Sequence, residues 1–142
     1  MLKFFKTTYR IFLIPYTILL LYFMFLGFGR EVMSINIVRL TPLASTIQFV
    51  ENSLFLKDIL INIIGNFLMF LPFGFLAWIS PKFYDFKTLI LSFLFVLIIV
   101  EALQYFTRLG VFDIDDIILN SIGMSLGFLL MNFLERIFVV RH

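Results

Sequence analysis

The stretch EALQYFTRLGVFDIDDIILNSIG, residues 101–123, joins two long apolar runs, and five ionisable side chains fall between Glu101 and Asp116. An ionisable group inside or at the rim of a bilayer costs several kcal/mol unless it is paired or hydrated. Such groups therefore mark a candidate functional site in a chain that is otherwise apolar. The rest of the sequence shows which other residues accompany them.

Composition places the chain among integral membrane proteins. Of its 142 residues 62% are hydrophobic, and the mean hydropathy is +1.08, whereas a soluble domain is nearer half apolar. We expect one domain, residues 1–142, in contact with the lipid bilayer. The net charge of +2 gives no basic patch for nucleic acid, and the lack of cysteine excludes thiolate metal sites and cysteine nucleophiles.

Hydropathy predicts an all-α integral membrane protein, a four-transmembrane-helix bundle with an outer loop between helices 1 and 2. The predicted spans are residues 11–28, 59–79, 88–106 and 114–138. Pro15 is expected in the first turns of the first span, where a missing N–H costs least. Pro72 and Gly74 predict a kink or break in the second span.

Basic residues predict the orientation of the spans. With the N-terminus inside, seven lysines and arginines lie in cytoplasmic segments and four in outer segments. Because cytoplasmic loops carry the excess of basic residues, both termini are expected to be cytoplasmic.

Polar residues of three predicted helices fall at one depth. At 1.5 Å per residue, Asn62 and Asn66 lie ~5 and ~10 Å below the outer boundary and Glu101 lies ~8 Å below it. The fourth helix begins at that boundary, with Asn120 roughly one turn further in. The predicted pocket therefore consists of Asn62, Asn66, Glu101, Gln104, Arg108, Asp113, Asp116 and Asn120.

Several of these residues also have a purely structural interpretation. Asp113 and Asp116 suit the N-cap and N3 positions of the fourth helix, where carboxylates satisfy free N–H groups. The asparagines suit hydrogen bonds between helices, and the Gly123-x-x-x-Gly127 pair suits close helix packing.

Glu101 is the hardest residue to explain structurally. A carboxylate below the interface is either neutral or paired with a cation. Arg108 lies on the same stripe of the third helix, so pairing with Arg108 or a bound cation is the favoured interpretation.

Carboxylates without histidine or cysteine suit hard divalent cations. Asp113, Asp115 and Asp116, with Glu101 nearby, are therefore candidate ligands for Mg²⁺, Mn²⁺ or Ca²⁺.

The order and spacing of these residues resemble a known family. The patterns are Asn62-x-x-x-Asn66-x-x-x-Phe70-x-Pro72-x-Gly74-Phe75, Glu101-x-x-Gln104 and Asp113-x-Asp115-Asp116-Ile-x-x-Asn120-x-x-Gly123-x-x-x-Gly127. Over residues 59–130 the chain is similar to the VanZ-like membrane proteins of bacteria. The resemblance implies a small multi-pass protein of the bacterial cytoplasmic membrane, and the family is named after a member linked to low-level teicoplanin resistance.

The chain departs from the family pattern in two places. The first outer loop carries Arg39-Leu-Thr-Pro42-Leu43 where members often have an Asn-Leu-Ile-Pro-Phe type segment. Many members have Gly-Arg before the acidic motif, whereas here Arg108 precedes Gly110 with Leu109 between them.

Several functions remain open at this point. The first is a pocket that engages a lipid-linked cell-wall intermediate or a glycopeptide, which would serve antibiotic resistance. Alternatives are a membrane enzyme acting on a lipid phosphate or glycan with a bound divalent cation, a small transporter that uses Glu101 as its titrating group, and a structural partner subunit.

Overall fold

Most of the described chain is helical. The computed structural model covers residues 2–27, 29–52 and 56–140, and the side chains at positions 45, 49, 56–62, 139 and 140 lie outside that description. In order, the elements are α1 (Leu2–Phe25), β1 (Val38–Arg39), α2 (Ala44–Asn52), α3 (Leu56–Phe70), a 3₁₀ segment (Leu71–Trp78), a short 3₁₀ turn (Pro81–Tyr84), α4 (Phe86–Thr107), β2 (Phe112–Asp113) and α5 (Ile114–Val140).

Among the described residues, three helices are long and apolar enough to cross a membrane: α1, α4 and α5. The predicted second span is instead the shorter apolar stretch Ile63–Trp78, which passes from α3 into the 3₁₀ segment. A 3₁₀ helix rises ~2.0 Å per residue against 1.5 Å in an α-helix, so this stretch covers roughly 28 Å, close to the ~30 Å of a bilayer core. A fourth crossing stays a prediction.

The first span begins earlier than expected. Because α1 starts at residue 2, Pro15 lies in the helix interior, and its predicted place in the first turns is wrong. Two basic residues that precede the predicted span have partners on other elements. Lys6 pairs with Glu135 at 2.7 Å, and Arg10 donates from Nε to the carbonyl of Trp78 at 2.8 Å.

The break in the second span is confirmed at Pro72, which stands at the start of the 3₁₀ segment. In 3₁₀ hydrogen bonding the carbonyl of Met69 would accept from residue 72, but proline has no N–H. The hydroxyl of Tyr16 donates to that carbonyl at 2.6 Å, and the hydroxyl of Tyr9 donates to the carbonyl of Pro72 at 2.9 Å. Helix α1 thus supplies donors to the interrupted backbone, as an apolar environment requires.

Close packing of α5 against α3 and the 3₁₀ segment depends on glycine. A Cβ on Gly123 would lie 2.5 Å from the carbonyl oxygen of Phe67, and a Cβ on Gly127 would overlap the carbonyl oxygen of Leu71. Gly74 faces the backbone of α5 equally closely. These contacts support the packing role that is predicted for Gly123 and Gly127.

A polar cluster ties the helices together roughly five turns along α5 from Asp116. The carboxylate of Glu135 accepts from Nζ of Lys6, from Nε1 of Trp78 at 2.9 Å and from the hydroxyl of Tyr84 at 2.8 Å. Burial and the neighbouring carboxylate raise the pKa of Tyr84, so its hydroxyl is a donor at neutral pH. These contacts join α1, the 3₁₀ segment, the short turn and α5.

The segment between α1 and α2 folds back over the α4–α5 connection. Strand β1 pairs in parallel with β2. The backbone N–H of Met33 donates to the carbonyl of Arg108 at 2.9 Å, and the side-chain amide of Asn36 donates to the carbonyl of Tyr105 at 2.8 Å. The predicted loop therefore has structure of its own and covers the ends of two helices.

The glycine contacts predict which glycine-to-alanine substitution destabilises the bundle. Gly127→Ala should lower the thermal unfolding midpoint in detergent, because overpacking a close contact costs about 1–3 kcal/mol. Gly65→Ala is the matched control, since a Cβ there meets no described atom within 4 Å and alanine is the better helix former by ~1 kcal/mol. The same unfolding midpoint for both variants would contradict the packing role.

Candidate functional site

Five of the predicted pocket residues surround one small cavity. This cavity, here called the inner pocket, has a volume of about 100 Å³ and also contacts Arg30 and apolar side chains of α1 and α3. Its predicted members are Asn66 from α3, Glu101 and Gln104 from α4, and Asp116 and Asn120 from α5. The structure thus brings together residues of three helices. The side chain of Asn62 lies outside the described residues.

A second, larger cavity adjoins the inner pocket. This outer cavity, about 360 Å³, lies under the folded-back segment and contacts Arg39 and Asp113. Arg30, Gln104 and Asp116 line both cavities. The two cavities are joined by these three shared side chains and are together called the connected polar site.

Glu101 is fully enclosed but does not pair with Arg108. Its side chain is 1% exposed, and Oε2 accepts the backbone N–H of Asp113 at 3.2 Å. Arg108 follows the end of α4 in a left-handed conformation with φ 58°, is exposed, and donates to the carbonyl of Ser34 at 3.5 Å. The predicted Glu101–Arg108 pair is wrong, since the helix ends at Thr107 and turns the guanidinium away from the pocket.

Arg30 is a cation of this site that was not predicted from the sequence. Its Nη1 donates to the carbonyl of Leu109 at 2.9 Å. A Cβ on Gly110 would lie 3.2 Å from that nitrogen, so glycine leaves room for the guanidinium. In the sequence, Arg30 is a basic residue directly after the first apolar run. The orientation of the spans accounts for a basic residue at that place, so the sequence does not mark Arg30 as part of a site. Arg39 is the second cation, with Nη1 3.7 Å from Oδ2 of Asp113.

Two polar side chains hold the walls of the site in place. Oδ1 of Asp113 accepts the backbone N–H of Asp115 at 2.9 Å, so the predicted N-cap of α5 is confirmed. Nε2 of Gln104 donates to the carbonyl of Met24 at 2.9 Å and ties α4 to the end of α1.

Asp115 has a structural role at the start of α2. Its buried carboxylate accepts the N–H of Leu43 at 2.5 Å and that of Thr46 at 2.9 Å, which caps α2. Among the residues that the structure describes, no three acidic or histidine side chains are arranged to hold a metal ion. The predicted metal site on Asp113, Asp115 and Asp116 stays a prediction, and in it Asp115 also caps α2.

Asn120 is one of two residues, with Ser121, whose buried side-chain oxygen has no hydrogen-bond partner among the described residues. Its side chain is 2% exposed, and Oδ1 has no hydrogen-bond partner within the described part of the chain. A buried acceptor without a donor costs about 1–3 kcal/mol. Since Asn120 lines the inner pocket, a donor placed in that pocket would satisfy it.

Comparison with known proteins identifies a family. A family model described as VanZ/LLP1 matches residues 12–135, a range that includes every residue lining the two cavities. No curated protein and no solved structure matches the chain.

The Asp115 contacts predict a local loss of protection. Asp115→Asn replaces one acceptor oxygen with a donor, so one of the two capping bonds is lost. Hydrogen bonds to charged groups are worth about 1.5–3 kcal/mol, and 1.4 kcal/mol is tenfold, so the amides of Leu43 and Thr46 should exchange hydrogen about 10- to 100-fold faster. Glu51→Gln, at an exposed position of α2, should leave the exchange unchanged. Unaltered exchange in Asp115→Asn would show that the cap is not formed.

Proposed function

Because the chain belongs to the VanZ-like family of membrane proteins, we propose that its connected polar site binds the polar part of an amphiphilic ligand. The ligand is a lipid-linked cell-wall intermediate or a glycopeptide such as teicoplanin. In this proposal the protein lies in the bacterial cytoplasmic membrane with both termini inside and the site facing outward. The three candidate spans support a multi-pass membrane protein.

The unpaired oxygen of Asn120 carries the proposal. An asparagine that served only to join helices would have its carbonyl oxygen bonded across the interface. Here that oxygen is buried, without a partner among the described residues, and lies in a cavity that other polar side chains also line. This arrangement supports a ligand that donates to the oxygen, because packing among the described residues leaves it without a partner.

The charges around the site support a ligand with mixed chemistry. The inner pocket presents acceptors from Glu101, Asp116 and Asn120, which suit hydroxyl and amino groups. The outer cavity adds Arg30 and Arg39, whose guanidinium groups suit phosphate or carboxylate. Lipid-linked sugars and glycopeptides carry both kinds of group.

Binding would also account for resistance. A site that holds either the antibiotic or its lipid-linked target lowers the amount of the complex between them.

Neutralising the acceptors should abolish this function. Expressed in a teicoplanin-susceptible bacterium, the unmodified chain should raise the inhibitory concentration of teicoplanin. Glu101→Gln and Asp116→Asn should each remove that increase, because an amide adds donors where the pocket offers acceptors. The measurement is the inhibitory concentration at matched amounts of protein in the membrane.

The matched control is Glu51→Gln on the exposed face of α2, which should keep full resistance. Two results would count against the proposal. One is undiminished resistance in both pocket variants at normal membrane levels, and the other is an unmodified chain that confers none.

A further inference from the structure

An apolar cavity runs between α1, the 3₁₀ segment and α4. This cavity, here called the apolar groove, has a volume of about 340 Å³, within the roughly 300–1,000 Å³ of small-molecule sites. Its walls are almost entirely hydrocarbon. They include Leu20, Leu21 and Met24 of α1, Phe73 and Leu76 of the 3₁₀ segment, and Leu89, Ser92, Phe93, Val96, Leu97 and Val100 of α4.

The apolar groove lies next to the inner pocket. Met24 and Phe70 line both of them. Along α4 the groove-lining positions end at Val100, and the next residue, Glu101, lines the inner pocket. The residues that line the cavities along α4, here called the path, therefore change from hydrocarbon to polar within a single helical turn.

The groove lies at the depth of lipid chains. Both α1 and α4 are candidate membrane-spanning helices. From Leu89 to Val100 the wall on α4 covers ~17 Å, about half of the ~30 Å hydrocarbon core. That length matches the reach of one lipid chain through one leaflet.

We infer that the apolar groove holds the hydrocarbon chain of an amphiphile whose hydroxyl- or amino-bearing polar group occupies the inner pocket. The inference rests on the proposed function and names its ligand class, an amphiphile that enters sideways from the bilayer with one chain in the groove. Bulk lipid chains coat any apolar face, but here a buried acceptor without a described partner, Asn120, stands at the polar end of the path. That acceptor favours a polar group with hydrogen-bond donors over one without them.

Photolabelling in nanodiscs of phosphatidylcholine tests this directly. The probe is dodecyl glucoside with a diazirine in its chain, and mass spectrometry locates the labelled residues. Labels should fall on the groove walls of α1 and α4. Ser92→Trp, which fills the groove, should reduce them to background. Ile98→Trp, on the same helix but 48% exposed and not lining the groove, should leave them unchanged.

A second groove variant and a second probe serve as controls for the photolabelling. Val96→Trp adds bulk at an exposed groove position and should also block labelling, even if Ser92→Trp disturbs folding. Dodecylphosphocholine with the same diazirine carries no donor in its polar group, so it should label the groove less than the glucoside does. Labelling that is unaffected by both tryptophans, or equal for the two probes, would overturn the inference.

The photolabelling result and the resistance result test different claims. Groove labelling together with unchanged resistance in the Glu101→Gln and Asp116→Asn variants would reject the proposed function alone. Resistance that depends on those residues, without blockable groove labelling, would reject only the lipid-chain inference.

Discussion

A polar group at the depth of the bilayer has to find its partner within the protein, and this constraint governs the structure. The interruption at Pro72 frees backbone carbonyls in the middle of an apolar stretch. Tyrosines of α1 donate to two of these carbonyls, and the glycines of α5 let its backbone approach the 3₁₀ segment closely enough to exclude lipid. The break is thus stabilised by contacts from two sides in addition to the 3₁₀ hydrogen bonds of the segment itself.

The same constraint explains why the site stands out. Most of its polar groups are bonded within the protein: Glu101 to the N–H of Asp113, Gln104 to the carbonyl of Met24, and Asp113 to the start of α5. These bonds fix the walls of the cavities and account for much of the buried polarity. Against that background the side-chain oxygens of Asn120 and Ser121 are the exceptions among the described residues, and that of Asn120 belongs to a side chain that lines the inner pocket.

Periodicity and depth were enough to predict the centre of the site. Asn66, Glu101 and Asn120 lie on regular helices of known rise, so their heights and faces follow from their positions in the sequence. Arg30 could not be predicted in the same way, because its place depends on how the segment after α1 folds back over α4. Asp115 could not be separated from Asp116 by sequence either. Neighbouring residues of a helix point about 100° apart, and only the docking of α2 shows that Asp115 caps α2 while Asp116 lines the pocket.

The ends of the helices also divide into those that the sequence predicts and those that depend on contacts between elements. The extents of α4 and α5 were predicted to within a few residues because long apolar runs define them. The early start of α1 was not predicted from the sequence, because Lys6 and Arg10 bind partners on elements that are distant in the chain.

Native mass spectrometry of the protein, extracted gently together with its membrane lipids, tests the central claim most directly. The account predicts one amphiphile per chain, of a defined class that bears hydroxyl or amino groups, and its loss from an Asn120→Leu variant that remains folded. A chain that retains only bulk phospholipids in their membrane proportions, or an amphiphile held equally well by Asn120→Leu, would contradict it.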